Sequence, residues 1–188
     1  MNPLHQKIIS ISPLKQIEIE ALLSAMETVS FAKNTILFDT IKVEKYVYFI
    51  EKGIARAYFN TPKQQATFWF GQEGDVILSY NSYIKEKPGY EIIELLEDSK
   101  LLRISHQTLQ NLYSKHIGLA NWGRKLAELE LIKAEEQFIN QQYKTASERY
   151  IELINTTPTL IQRVQLTHIA SYLGVSPVTL SRIRAEIK

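Results

Sequence analysis

Residues 165–188 read QLTHIASYLGVSPVTLSRIRAEIK, which predicts two short helices joined by a tight turn at Gly174. A helix-turn-helix motif beginning at Leu166 needs a small residue at its fifth position, where the two helices touch, and Ala170 stands there. Its ninth position needs a backbone φ above zero, which glycine adopts readily, and Gly174 stands there. The apolar positions that would face a core are Ile169, Leu173, Val175, Leu180 and Ile183. A plain pair of packed helices is the competing interpretation.

The second helix of this motif presents side chains suited to DNA. Ser176 can cap the helix, and Pro177 suits its first position, where no backbone N–H is needed. Arginine can bind guanine through two hydrogen bonds, and threonine or valine methyl groups can touch thymine. The predicted DNA-contacting residues are Gln165, Thr167, Ser176, Pro177, Val178, Thr179, Arg182, Arg184 and Lys188.

Charge is concentrated at this end of the chain. From residue 163 onward, four basic residues stand against the single acid Glu186, which gives +3, whereas the whole 188-residue chain carries +2. A net charge of +2 excludes a polybasic coat for nucleic acid but permits a small, locally charged DNA-binding module. The four basic residues are Arg163, Arg182, Arg184 and Lys188.

Composition excludes several other classes of protein. The chain has no cysteine, so disulfides, thiolate metal sites and cysteine nucleophiles are absent. No run of about 18 apolar residues occurs and no signal peptide is recognised, so a cytoplasmic protein without membrane contact is expected. The four histidines (His5, His106, His116 and His168) are scattered, and no catalytic or phosphate-binding motif occurs. Neither an enzyme nor a metal site is therefore expected.

The first half of the chain changes from a helical to a strand-like pattern. Residues 11–31 predict a helix capped by Ser12. From about residue 35 to residue 104, short β-branched and aromatic segments alternate with turn residues such as Gly53 and the predicted turn at 61–63. This spacing favours a β-sandwich, jelly roll or barrel.

Helices return after Ser105. One helix is predicted at about 106–115, a long one at about 119–142 and another at about 145–155, followed by a loop or short helix. In the long helix, apolar residues recur in steps of three and four, which predicts a two-fold dimer seam formed by Leu119, Trp122, Leu126 and Leu129. An ordinary helix packed on its own domain is the alternative.

The order of these elements resembles the cyclic-AMP receptor protein/Fnr family of bacterial transcription regulators. The supporting segments are FIEKGIARAYF, GQEGDVIL and the helix-turn-helix motif. The resemblance implies an α+β protein with a jelly-roll, cyclic-nucleotide-binding-like sensor domain (1–116), a dimerisation helix (117–142) and a helix-turn-helix domain (143–188). It also implies a homodimer that binds double-stranded DNA at a two-fold site, with RNA polymerase as a further candidate partner.

The sensor domain departs from the family pattern at two positions. Where cyclic-AMP-binding members have a ribose-binding Glu and a phosphate-binding Arg, this chain has Ser79 and Gly89. A phosphate without a cationic partner is poorly stabilised in a partly buried pocket, so cyclic AMP is not expected as the effector. The expected pocket residues are Leu78, Ser79, Tyr80, Gly89 and Tyr90. They would hold another ligand, or Tyr80, Tyr83 and Tyr90 would fill the pocket themselves.

The DNA-binding end departs from the pattern as well. Pro177 and Val178 stand where typical members have Arg and Glu, and little room remains between Tyr150 and Leu166 for the family's β-wing. A ligand-binding or scaffold protein with a degenerate DNA-binding end is therefore the alternative function.

Overall fold

Two four-stranded antiparallel sheets form the β-structure of a computed structural model that describes residues 3–62 and 64–187. The strands are β1 (Glu27–Phe31), β2 (Ile36–Phe38), β3 (Tyr46–Lys52), β4 (Ala55–Asn60), β5 (Gln65–Gly71), β6 (Val76–Ile77), β7 (Ile92–Leu95) and β8 (Ser99–Ser105). Their order is β1-β8-β3-β6 in one sheet and β2-β7-β4-β5 in the other. The predicted α+β class with an N-terminal sandwich is confirmed.

Helices precede, interrupt and follow the strands. They are α1 (Pro3–Ser10), α2 (Gln16–Ser24), α3 (Tyr80–Lys85), α4 (His106–Lys115), α5 (Ile117–Tyr143), α6 (Ala146–Thr156), α7 (Pro158–Arg163), α8 (Leu166–Tyr172) and α9 (Pro177–Ile187). No helix among the described residues combines the length and the apolar character needed to cross a bilayer.

Local capping explains why some predicted helices have the expected ends. The Ser105 hydroxyl accepts the Thr108 N–H at the start of α4, and Thr145 and Glu148 cap each other reciprocally at the start of α6. The predicted first helix was wrong at both ends. It begins at Gln16, where the Glu18 carboxylate accepts the Lys15 N–H, and the β-branched run from residue 27 forms strand β1.

Contacts divide the chain into two compact units. Unit 1 comprises residues 1–56 and 70–131, and unit 2 comprises residues 57–69 and 132–188. The β4–β5 hairpin tip thus clusters with the C-terminal helices, which the sequence did not predict. In the predicted turn at 61–63, Lys63 lies outside the described residues, and Thr61 and Gln64 exchange three hydrogen bonds of 2.6–3.0 Å.

The core of unit 1 joins the first sheet to helices from both ends of that unit. Apolar side chains on β3 and β8 pack with side chains from α1, α2, α4 and α5. The members that are at most 5 % exposed are Leu4, Ile8, Leu22, Val47, Phe49, Leu102, Ile104, Leu109, Leu119 and Trp122. This cluster places the first turns of α5 inside the protomer.

Candidate functional site

The helix-turn-helix motif is built by α8, a turn and α9 within unit 2. Ala170 is fully buried where the helices meet, and its carbonyl accepts the Val175 N–H at 3.0 Å. The Ser176 hydroxyl accepts the Thr179 N–H at 3.0 Å, which confirms Ser176 as the cap of α9. Ile169, Leu173, Leu180 and Ile183 are buried as predicted, and Val175 is half-buried.

Gly174 supplies the turn through its backbone conformation. Its φ is +70°, in the left-handed region that L-residues with a side chain rarely adopt. A Cβ added there would meet no atom of the described residues within 4 Å. The requirement for glycine is therefore one of conformation, as the motif predicted.

The described residues of the predicted DNA-binding set all lie at the surface. Val178 is 63 % exposed near the start of α9. Gln165, Thr167, Ser176, Pro177, Thr179, Arg182 and Arg184 are likewise exposed, and Lys188 lies outside the described residues. The structure thus leaves these side chains accessible, with Arg182 and Arg184 on the same helix.

Arg149 of α6 ties the motif to the long helix inside unit 2. Its guanidinium donates hydrogen bonds to the carbonyl oxygens of Gln141 at 3.3 Å, Lys144 at 2.9 Å and Leu173 at 2.7 Å. Gln141 belongs to the last turn of α5, and Leu173 ends α8 just before Gly174. Carbonyls at helix C-terminal ends favour a cation. Sequence analysis missed this role, because nothing local distinguishes Arg149 from a surface arginine.

The predicted dimer seam requires a correction. Leu119 and Trp122 are 0 % exposed within the protomer, where Trp122 packs on Phe49 at a ring-centroid distance of 6.3 Å. Leu126 packs partly buried against the same core. Side chains that fill the protomer core cannot meet a second copy, so the prediction is wrong for Leu119 and Trp122. The seam role of Leu126 and half-buried Leu129 stays a prediction.

The later part of α5 carries the exposed apolar side chains that a seam would need. Leu131 is 70 %, Ile132 48 %, Phe138 64 % and Ile139 46 % exposed. Leu131 and Phe138 are seven residues apart, as are Ile132 and Ile139, so each pair lies on one helix face. This spacing is visible in the sequence, but the apolar pattern nearer the start of the helix is stronger and indicates a seam there instead.

The predicted effector-pocket residues lie around α3. Ser79 precedes this helix and is 1 % exposed, and its hydroxyl has no hydrogen-bond partner among the described residues. The Asn81 amide donates to the Pro88 carbonyl at 3.2 Å, and the Ser82 hydroxyl donates to the Lys87 carbonyl at 3.0 Å. These bonds attach the segment leading to Gly89 to α3.

A carboxylate stands beside the position where a phosphate-binding arginine would be expected. The Tyr90 N–H donates to Glu91 Oε2 at 3.0 Å, and a Cβ added at Gly89 would lie 2.6–2.7 Å from the Glu91 carboxylate atoms. Burial, the Asp39 carboxylate and, to a lesser degree, Glu91 raise the pKa of Glu44 nearby. The surroundings of Gly89 therefore disfavour an anionic ligand group.

Two of the three tyrosines that were expected to fill the pocket are exposed at the surface. Tyr80 is 48 % and Tyr90 is 69 % exposed. Tyr83 instead accepts a hydrogen bond from the Gln110 amide at 2.6 Å and packs its ring against His106. The expectation of a pocket filled by these three side chains is wrong for Tyr80 and Tyr90. No group of three or more histidine, cysteine or acidic residues in the described part of the chain could hold a metal ion.

Comparison with known families and structures agrees with this architecture. Residues 28–116 match the family model of the cyclic nucleotide-binding domain. No curated protein matches the chain.

Several solved structures share the fold across most of this chain. FixK2 from Bradyrhizobium japonicum is 20 % identical with a TM-score of 0.71, covering 86 % of this chain and 84 % of that one. The c-di-GMP responsive global regulator CLP from Xanthomonas campestris is 14 % identical with a TM-score of 0.67, covering 92 % and 91 %. The catabolite activator protein from Thermus thermophilus is 16 % identical with a TM-score of 0.59, covering 96 % and 86 %. These likenesses confirm the fold that the family resemblance implied.

Proposed function

We propose that this chain, whose residues 28–116 match the cyclic nucleotide-binding domain, is a DNA-binding transcription regulator of the cyclic-AMP receptor protein/Fnr type. The observation that carries the proposal is the geometry of unit 2. Gly174 turns the chain at φ +70°, Ser176 caps α9, and Arg182 projects from the exposed side of that helix. Solved structures of the same fold that are described as regulators lend further support.

The proposal assigns α9 to the major groove. Among the described residues of α9, Arg182 can donate two hydrogen bonds to a guanine, and Val178 can make an apolar contact with a thymine methyl group. Two copies related by a two-fold axis would read half-sites one helical turn apart, about 34 Å. Such a regulator acts where DNA and RNA polymerase are, which fits a cytoplasmic location.

The dimer interface of this proposal is the exposed apolar part of α5. Large apolar side chains exposed to water are costly, and those on α5 recur at a seven-residue spacing suited to a parallel pair of helices. The proposed contact residues are Leu131, Ile132, Phe138 and Ile139.

Cyclic AMP is not the effector in this proposal. Position 89 lacks a cation and faces the Glu91 carboxylate, and position 79 has a hydroxyl in place of a carboxylate. The buried Ser79 hydroxyl has no hydrogen-bond partner among the described residues and is the proposed contact for a different, uncharged ligand group near α3.

Selection of duplexes from a random DNA library tests the proposed function. The wild-type chain should enrich a two-fold sequence and shift it in a mobility assay. Failure to enrich any sequence, with the chain folded and dimeric, would favour the scaffold alternative.

A further inference from the structure

Strand β5 is an edge strand, and a residue of unit 2 bonds to its backbone on the side that pairs with no other described strand. β5 is last in the order β2-β7-β4-β5, so only one of its sides pairs with another strand. The backbone groups on the other side of an edge strand need other partners. Residues 65–69 of this strand belong to unit 2.

One side chain of the helix-turn-helix motif makes two hydrogen bonds to backbone groups of β5. The Ser171 hydroxyl on α8 donates to the Gln65 carbonyl at 2.7 Å and accepts the Thr67 N–H at 3.0 Å. In a parallel sheet, a strand residue likewise donates to one residue of its neighbour and accepts from the residue two positions on. The Ser171 hydroxyl thus makes the two hydrogen bonds that one residue of a further parallel strand would make with β5.

A second side chain also bonds to the backbone of β5. The Gln137 amide on α5 donates to the Phe68 carbonyl. Thr67, whose N–H donates to Ser171, is only 5 % exposed. The backbone of β5 is therefore bonded to side chains of both α8 and α5 within unit 2.

We propose that Ser171 is a positioning residue for DNA binding, which fixes the first helix of the motif on the edge of β5. This inference rests on the proposed function. β5 continues through Phe70 and Gly71 into unit 1, so the backbone that Ser171 grips is chemically continuous with the sensor sheet.

Ser171→Ala removes both hydrogen bonds. Because alanine is a strong helix former, α8 itself should be preserved. Hydrogen exchange at the Thr67 amide should then become about tenfold faster, since this amide loses its acceptor. Affinity for a duplex selected by the wild-type protein should fall about three- to tenfold, since α8 gains orientational freedom. Ser171→Thr retains a hydroxyl and should restore most of both. Ser147→Ala, on α6 and with no described bond to β5, is the matched control and should change neither.

Each other outcome contradicts the proposal. Unchanged exchange at Thr67 in Ser171→Ala would show that the hydroxyl does not hold β5. Faster exchange with unchanged DNA affinity would show an anchor without influence on DNA binding, and increased affinity would make the contact inhibitory. If the wild-type protein selects no duplex, the proposed function fails. The attachment of α8 to β5 is then tested by itself through hydrogen exchange across α8, which should become faster in Ser171→Ala and recover in Ser171→Thr; unchanged exchange would refute the attachment as well.

Discussion

The indole N–H of Trp122 donates a hydrogen bond to the backbone carbonyl of Ile8, 2.7 Å away in the core of unit 1. This bond joins α5 to α1 across 114 positions of sequence. Trp122→Ala removes a fully buried side chain and leaves that carbonyl without its donor, so it should lower the free energy of unfolding by about 3–5 kcal/mol. Urea denaturation measures the loss. Ile41→Ala, at a side chain 80 % exposed, is the control and should have little effect. If the Trp122→Ala protein has unchanged stability but sediments as a monomer, Trp122 belongs to the dimer seam and not to the protomer core.

Phe138→Glu should convert a dimer into folded monomers. Phe138 is 64 % exposed on α5, so a carboxylate there costs little in the protomer but would be buried in the proposed seam. Sedimentation at micromolar concentration should show half the wild-type mass with an unchanged circular dichroism spectrum. Lys133→Glu, at an exposed side chain on the opposite side of the same helix, should remain dimeric. A wild-type protein that is already monomeric at that concentration would refute the interface.

Cyclic AMP should bind no better than millimolar, because its phosphate would meet the Glu91 carboxylate without a compensating cation at position 89. Calorimetric titration measures this directly. The double variant Gly89→Arg, Glu91→Ala supplies the cation and removes the carboxylate that the new side chain would strike, so it should bind more tightly than the wild type. Micromolar binding by the wild type would overturn the assignment of positions 79 and 89.

Arg182→Ala should weaken binding to the selected duplex by about 1–3 kcal/mol and relax the preference at one base pair in each half-site. The reason is the loss of a bidentate guanine contact. Arg184→Ala, on the same helix, should instead weaken all DNA equally and lower the salt slope by about 1. Equal losses of Arg182→Ala on selected and scrambled DNA would make Arg182 a phosphate contact.

Stability should decline on mild acidification because of His106. Burial lowers the pKa of this imidazole, and a backbone hydrogen bond at Tyr46 opposes the effect only in part. A depressed folded-state pKa means that unfolding takes up a proton. The stabilisation is thus complete above the unfolded pKa of about 6.5 and is lost as pH falls toward the folded value. Urea midpoints at about pH 7.5 and pH 5.5 should differ in the wild type. The difference should shrink in His106→Gln and persist in His116→Gln. An equal decline in both variants would assign it to other groups.

Features governed by nearby residues were predictable, and features governed by distant residues were not. The turn at Gly174 and the caps at Ser105, Thr145 and Ser176 depend on residues a few positions away, and the observed elements begin and end there. The steps of three and four around Trp122 correctly indicated a buried helix face. They carried no information about what covers it, which is α1 from the same chain.

The support of the candidate site was equally hidden in the sequence. Ser171 reaches Gln65 across 106 positions, and Arg149 reaches Leu173 across 24. Neither residue type nor spacing distinguishes these contacts from those of surface side chains. Glu91 is an exception among nearby residues: it lies only two positions from Gly89, but the path of the folded backbone decides that its carboxylate turns toward that position.

Because the space beside Gly174 is open, the configuration of the residue at this position, and not the size of its side chain, decides whether it fits the turn. Its φ of +70° is strained for an L-residue but is the mirror image of the ordinary helical region, which a D-residue prefers. A methyl group in the L configuration would touch no atom of the described chain, so the backbone angle alone disfavours L-alanine. D-alanine prefers this φ, so introducing it by semisynthesis should keep the turn and restrict the unfolded chain, a gain of about 0.4–1 kcal/mol. L-alanine, with the same methyl group on the opposite side, would strain the backbone that brings α8 and α9 together.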